Sequence, residues 1–431
     1  MVGHVATVAR WGATLVVLLV ALVGFLFLTR GTAVRRVRGV GKDAAPVSPG
    51  ESEFPDTVAM LTGTDLLPDT RVQLALNGDG IFEPLWADLG AAEQAITIQM
   101  YYMGPGRVAD RLAEVLLARA RAGVPVAFLY DAFGASDVPR AYWQTLRDGG
   151  VQAVAFRPLR LHNLWLVQNR AHTRAVVVDG KVGWTGGFGF DDKWLGDGLH
   201  KDQWRETAVR MEGPAVHQLQ AAFVASWAEA TGELFSGRVT PCGHTRGAVA
   251  AAGVLATSPT LGSTPAERFL ALSIAGARHT LYITNAYFAP DPNFATLLAR
   301  AAKRGVDVRV LVGGASTDVP IARAAGRARY DALLSAGVRI YEYQPTTLHA
   351  KTLVVDGCWA SVGTMNFDNR SLALNDEVTL MVRDPAFGRR MDAIFHDDLR
   401  HAEAIDLATF RRRPWYQHVV ERVANVVTPV L

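Results

Sequence analysis

An apolar run, a helical pattern and a second apolar run occur in the same order twice in this 431-residue chain. AITIQMYYM from Ala95 leads into LLARARAGVPVAFLYDAFG from Leu116; TLYITNAYF from Thr280 leads into LLARAAKRGVDVRVLVGGAS from Leu297. A third block, AVVVDGKVGWTGGFGFDD from Ala175, returns as TLVVDGCWASVGTMNFDN from Thr352. The three separations are 185, 181 and 177 residues. A repeat of that length is a whole folding unit made twice, since each copy is long enough to bury a core of its own.

Each copy reads strand, helix, strand, helix and then a β-hairpin whose turn is Asp179-Gly180 or Asp356-Gly357, a preferred hairpin signal. The expected class is α/β. Two pseudo-symmetric domains are predicted, each a mixed, mostly parallel sheet with flanking helices. Their expected bounds are 69–230 and 247–431, connected through the Gly-rich segment from Thr231 to Arg246. Pro46, Pro49 and Pro55 make the stretch from Asp43 to Asp56 read as an extended linker, so globular patterning is expected to begin near Asp69.

Upstream, Trp11 to Thr29 is free of charge over 19 residues. As a helix it would be about 28 Å long, enough to cross a bilayer, so 11–29 is predicted to be a transmembrane helix. A cleaved signal peptide is the rival, but the run exceeds the usual apolar length and no A-x-A site precedes Arg30. Arg30, Arg35, Arg36, Arg38 and Lys42 follow the run, whereas only His4 and Arg10 precede it. The positive-inside rule then puts residue 2 outside and the body in the cytoplasm, with 30–68 as a basic juxtamembrane segment and linker. Those cations would be drawn to anionic headgroups by about 1 kcal/mol each. The formal charge of the whole chain is only +3, which argues against a dedicated nucleic-acid binder. Two cysteines, Cys242 and Cys358, exclude a disulfide scaffold and a four-cysteine zinc site.

The chemistry sits in the third block. His172-Thr173-Arg174 and His349-Ala350-Lys351 each place an imidazole and a cation two residues apart, on one face of a strand. An imidazole beside a fixed positive charge suits attack on an anionic phosphorus centre. A second imidazole from the other copy would protonate the leaving oxygen and later deprotonate an acceptor. A lone H-x-K is usually a solvated pair. Its recurrence at the same place in both copies, each followed by Asp179 or Asp356 and by a small-residue turn, makes chance a poor explanation.

These residues resemble the phospholipase D superfamily, whose members carry two copies of H-x-K-x4-D followed by G-S-x-N or G-G-x-N. Within it, LHAKTLVVDGCWASVGTMNFDNRSLALNDEV from Leu348, NAYFAPD from Asn285 and WRETAVRMEGPAV from Trp204 are similar to segments of bacterial cardiolipin synthases. The resemblance implies that His172 and His349 are nucleophile and acid/base, that Arg174 and Lys351 hold phosphate, and that Asn366 and Ser371 add neutral donors. It implies a carboxylate orienting each histidine, Glu377 for His349 and Glu206 for His172. Asp179 and Asp356 are expected to be structural. The first copy departs at Arg174, where Lys is usual, and at Gly189, where the usual Asn donor is missing.

The implied activity is phosphatidyl transfer through a phosphohistidine to phosphatidylglycerol, giving cardiolipin, in the bacterial inner membrane. It needs neither metal nor cofactor and involves no nucleic acid. Hydrolysis of the phospholipase D type is the alternative, ahead of a nuclease or a non-catalytic lipid-binding scaffold.

Overall fold

Runs such as Arg174–Val178 and Trp359–Gly363, buried at every position, mark strands covered on both faces. The computed structural model describes residues 11–22, 24, 34–39, 44–158, 169–235, 250–260, 262–426 and 428. Its first-half strands are β1 (Leu67–Leu76), β2 (Ile96–Met100), β3 (Val126–Asp131), β4 (Gln152–Phe156), β5 (Arg174–Val178), β6 (Val182–Gly186), β7 (Trp204–Arg205) and β8 (Thr207–Glu212). The second half has β9 (Ala250–Thr257), β10 (Thr280–Asn285), β11 (Asp307–Gly313), β12 (Arg339–Tyr343), β13 (Thr347–Leu348), β14 (Lys351–Val355), β15 (Trp359–Gly363), β16 (Glu377–Arg383) and β17 (Ala402–Ala404). All but β7 and β13 join one sheet, in the order β17-β12-β11-β10-β14-β15-β16-β9-β1-β8-β6-β5-β2-β3-β4.

The two copies are laid out alike. Met100 pairs with Arg174 and Asn285 with Lys351, so the cation of each motif stands at the same register position. Parallel pairing is confined to β2-β3-β4 and β10-β11-β12; the other described pairs of this sheet are antiparallel. The sheet is therefore mixed, and the expectation of a mostly parallel one is corrected: each hairpin, and the strand that follows it, pairs antiparallel. β4 and β12, which the hairpin-based pattern omits, extend the parallel edges.

β5, β6 and β8 also touch β15 and β16, to which they are not hydrogen-bonded, so the halves stack face to face. Ala175, Val177, Val209 and Met211 from the first half share one apolar core with Val354, Ala360, Val362 and Leu380 from the second. Outside this seam, helices cover the sheet through regular apolar stripes. Arg107–Arg121 buries Val108, Leu112, Val115 and Leu116, spaced for one helical face.

Globular packing begins earlier than Asp69. Phe54–Thr62 is a helix with Pro55 in its first turn, and Phe54 is fully buried, its ring edge-on to Trp359 at 5.0 Å. A proline that reads as linker instead starts a helix, where its missing N–H costs nothing. Further upstream, residues 11–22 are helical and exposed, while most of 23–29 lies outside the described residues, as do Cys242 and most of the segment joining the halves. No described helix is long and apolar enough to cross a membrane.

The hairpin aspartates do the same work in both halves. Asp179 accepts the backbone N–H groups of Glu93, Gln94 and Ala95; Asp356 accepts those of Arg278, His279 and Thr280. Both have positive φ, 52° and 49°, a conformation Asp and Asn tolerate better than other L-residues. Asp356→Ala removes three charge-assisted bonds and leaves Ala in a strained conformation, and should cost about 2 to 4 kcal/mol. Asp356→Asn should lose only about 1 kcal/mol. Urea unfolding midpoints check both, and Asp179 should behave alike.

Candidate active site

Both histidines stand just before the strands that carry their cations, His172 before β5 and His349 before β14, and both are buried. His172 Nδ1 meets Glu377 Oε2 at 2.9 Å, and His349 Nδ1 meets Glu206 Oε2 at 2.8 Å. Each histidine is thus held by the carboxylate of the other half, the reverse of the assignment made from sequence. The cause lies in two short parallel contacts between the halves. Ala171 bridges Asp376, which puts His172 beside Glu377; Leu348 of β13 pairs with Arg205 of β7, which puts His349 beside Glu206. Backbone bonds lock both: Asp376 N to Arg170 O at 3.0 Å, and His349 N to Arg205 O at 2.8 Å.

The cations lie between these pairs. Arg174 Nη1 donates to the carbonyl of His172 at 3.0 Å, and Lys351 Nζ donates to the carbonyl of His349. Arg174 lies over the Tyr101 ring and Lys351 over Tyr287. Tyr101 also meets His172 edge-on at 4.8 Å, and the Tyr287 hydroxyl donates to Asp318 at 2.6 Å. Asn366 shares a small cavity with Lys351 and Asn285, and its Oδ1 has no hydrogen-bond partner among the described residues. The Ser371 hydroxyl, on the one-turn π-helix Arg370–Leu374, is buried beside the Glu377 carboxyl and helps to hold its pKa down. Asp179 and Asp356 stand at the far ends of β5 and β14, away from the histidines.

Burial dominates the electrostatics. It drives both imidazoles well below their ordinary pKa, helped by Arg174 and Lys351 at His172 and by Lys351 and Arg174 at His349. It pushes Lys351 down to about 7 despite Glu206, and lifts the Glu377 carboxyl to about 8 against the Thr364 hydroxyl and Arg174. With the facing carboxyl ionised, a neutral imidazole gives it the Nδ1–H and keeps Nε2 as a free lone pair. Arg174 and Lys351 are buried close enough to Glu206 and Glu377 for both carboxyl groups to act on each cation, and a phosphodiester monoanion would add further counter-charge. If Lys351 holds the anion it does so only when protonated, and affinity for orthovanadate should then fall as pH rises through about 7 in wild type. In Lys351→Arg, whose guanidinium stays charged, that fall should be absent; titration by calorimetry checks it.

The missing amide at Gly189 has a structural answer. At the 177-residue offset, Gly189 matches Asn366 and Trp194 matches Ser371. A Cβ at Gly189 would sit 2.7 Å from the carbonyl oxygen of Tyr102 and 2.9 Å from the Trp194 ring, so the indole fills the space an amide would need. Trp194 is fully buried, its Nε1–H donates to Glu206 at 3.4 Å, and its ring stands edge-on to His349 at 5.5 Å. Gly187, which matches Thr364, similarly leaves room for the Glu206 carboxylate. Glu206 therefore takes donors from an indole and from the N–H of Thr207, whereas Glu377 takes them from the hydroxyl of Thr364 and the amide of Asn375. Gly189→Asn alone should collide with Trp194 and cost about 1 to 3 kcal/mol with a loss of anion binding. Adding Trp194→Ser should relieve only the ring contact, because the carbonyl oxygen of Tyr102 stays 2.7 Å from the new Cβ and a buried indole is lost, so thermal melts and vanadate titration should keep the double variant below wild type.

Tyr101, Tyr287, Trp194 and Trp204, whose ring lies 4.9 Å from His349, were not singled out from sequence. Tyr101 directly follows β2 and Tyr287 lies two residues past β10, the strands beside the motif strands, and that position is the signal for them.

The family model described as "Cardiolipin synthase, PLD-like domain" matches residues 85–227 and 270–399. The chain is 35% identical over 365 residues to a cardiolipin synthase of Geobacillus kaustophilus, covering 84% of this chain and 72% of the relative. It is 35% identical over 374 residues to cardiolipin synthase A of Pseudomonas aeruginosa, covering 86% and 75%. Among solved structures, phosphatidylserine synthase of Haemophilus influenzae superposes with a TM-score of 0.63 at 14% identity, covering 88% of this chain and all of that one. Polyphosphate kinase of Porphyromonas gingivalis superposes with a TM-score of 0.54 at 13% identity over 82% of this chain and 52% of its own, a likeness of fold alone.

Proposed function

The chain belongs to the cardiolipin synthase family with phospholipase D-like domains, and from that premise we propose a phosphatidyltransferase whose two halves, 69–230 and 247–431, are pseudo-symmetric domains sharing one site. The observation that carries this reading is the pair of crossed His–Glu contacts with Arg174 and Lys351 between them.

Nε2 of one histidine attacks the phosphorus of a donor phospholipid. The bond from phosphorus to the headgroup oxygen breaks, and the other histidine, protonated as substrate binds, gives that oxygen its proton. Arg174 and Lys351 carry the charge that gathers on the equatorial oxygens, with Asn366 and Ser371 as neutral donors. In the second half of the cycle the now neutral histidine takes the proton of an acceptor hydroxyl, that oxygen attacks the phosphohistidine, and the P–N bond breaks. The acceptor is the glycerol headgroup of phosphatidylglycerol, so the product is cardiolipin; water in its place would give hydrolysis. Glu206 and Glu377 hold the rings in the tautomer that exposes Nε2 and steady the imidazolium when it forms. The apolar run at 11–29 anchors the protein, with the body on the cytoplasmic side of the membrane.

Purified protein given labelled phosphatidylglycerol should yield labelled cardiolipin and free glycerol, unaffected by EDTA. His172→Ala and His349→Ala should each lower kcat by about a thousandfold, and the double variant little further, as expected of residues acting in one cycle. Phosphatidic acid as the main product would turn the assignment to hydrolysis. Near-normal transfer by either single variant would refute the shared site.

A further inference from the structure

The last described helix, Trp415–Val426, turns an apolar face outward. Trp415, Tyr416, Val419, Val420, Val423 and Val426 are between 46% and 76% exposed. At 100° per residue these six fall within an arc of about 140°. The opposite side is seated on the body. Glu421 is buried and accepts from Arg413 and Arg327, and Ala424 packs with Ala325 and Ala289. Arg327 and Ala325 belong to the helix Pro320–Arg327, which starts two residues after Asp318, the acceptor of the Tyr287 hydroxyl. Ala289 lies two residues beyond Tyr287, whose ring meets His349. The helix is thus fastened to the segments that line the active site.

We infer that this face is an interfacial anchor that lies in the surface of an anionic phospholipid leaflet and sets the active site against it, independently of the N-terminal run. The inference rests on the phospholipid reading of the site. Charge and residue type identify the occupant. Arg422 is exposed at the edge of the apolar arc, where phosphates would lie, Arg412 is exposed just ahead of the helix, and Trp415 and Tyr416 have the amphipathic rings that settle at headgroup level. A helix with valines outward, aromatic residues at one end and an arginine beside them has the residue pattern of a helix lying in a leaflet surface.

The test uses the full-length protein with Val419→Asp and Val423→Asp together, both on the exposed face and outside the catalytic machinery. On vesicles of phosphatidylglycerol the double variant should lose about tenfold in kcat/KM, while turnover of a short-chain, monomerically dispersed phosphatidylglycerol stays within about twofold of wild type. Insertion is read separately from activity: a fluorophore on Val423→Cys should be quenched by vesicles with brominated acyl chains. Equal vesicle rates for variant and wild type, or an unquenched fluorophore, would overturn the anchor. So would a wild-type dimer in detergent that the double variant dissolves, because the face would then belong to a second copy. Failure of wild type on the short-chain lipid would count against the proposed activity, leaving the quenching result to decide the anchor.

Discussion

Everything catalytic in this fold depends on a contact between its halves that is two residues long. Ala171 beside Asp376, and Leu348 beside Arg205, run parallel across the boundary and exchange backbone hydrogen bonds. Those bridges carry no chemistry themselves. They set the register in which each histidine finds its carboxylate, so neither half alone contains a histidine with its partner. A buried ion pair between Arg205 and Asp398, with both bonds at 2.8 Å, holds the same boundary one residue from Glu206. Removing either partner would strand a buried charge, which makes the pair a constraint on register more than a source of stability.

The same closeness accounts for the electrostatics. Imidazoles, guanidinium, ammonium and two carboxylates are all buried, and none sits at its ordinary pKa. An open cleft would let water pay these charges their solvation and would also blunt their effect on phosphorus. Burial keeps the coupling between these groups strong, with Glu206 and Glu377 each acting on both Arg174 and Lys351.

Much of this was legible in the chain. The duplication, the strand positions of both motifs and the hairpin turns follow from repeat, period and turn chemistry, whereas Glu206, Glu377, Asn366 and Ser371 come only through the resemblance to the phospholipase D superfamily. The carboxylate pairing was not legible, because the offset between copies orders residues within each half and says nothing about which half supplies a partner. Nor was the helix Phe54–Thr62, since Pro55 marks a linker and a helix start with the same letter, and only the buried face against Trp359 distinguishes them. The mixed pairing of the sheet was hidden for a related reason: alternating strands and helices announce the parallel edge, while the hairpins β5-β6 and β14-β15, each within one half, are antiparallel by construction.

Comparing the copies position by position also misleads where the core is dense. Gly189 seems a loss when it is matched with Asn366 alone. Matched together with Trp194 against Ser371, it is half of an exchange, in which a small residue and a large one have traded volume around Glu206. In a site packed to this density, neither change is tolerable without the other, so such positions must diverge in pairs. The outcome is two half-sites of equal geometry and unequal polarity, His349 beside two indoles and His172 beside a Glu377 carboxyl that takes hydroxyl and amide donors. A two-step transfer asks different things of its histidines, one to hold a phosphoryl group and one to move a proton. A duplicated site can separate those tasks only by losing its symmetry in the environments of the rings while keeping it in their positions.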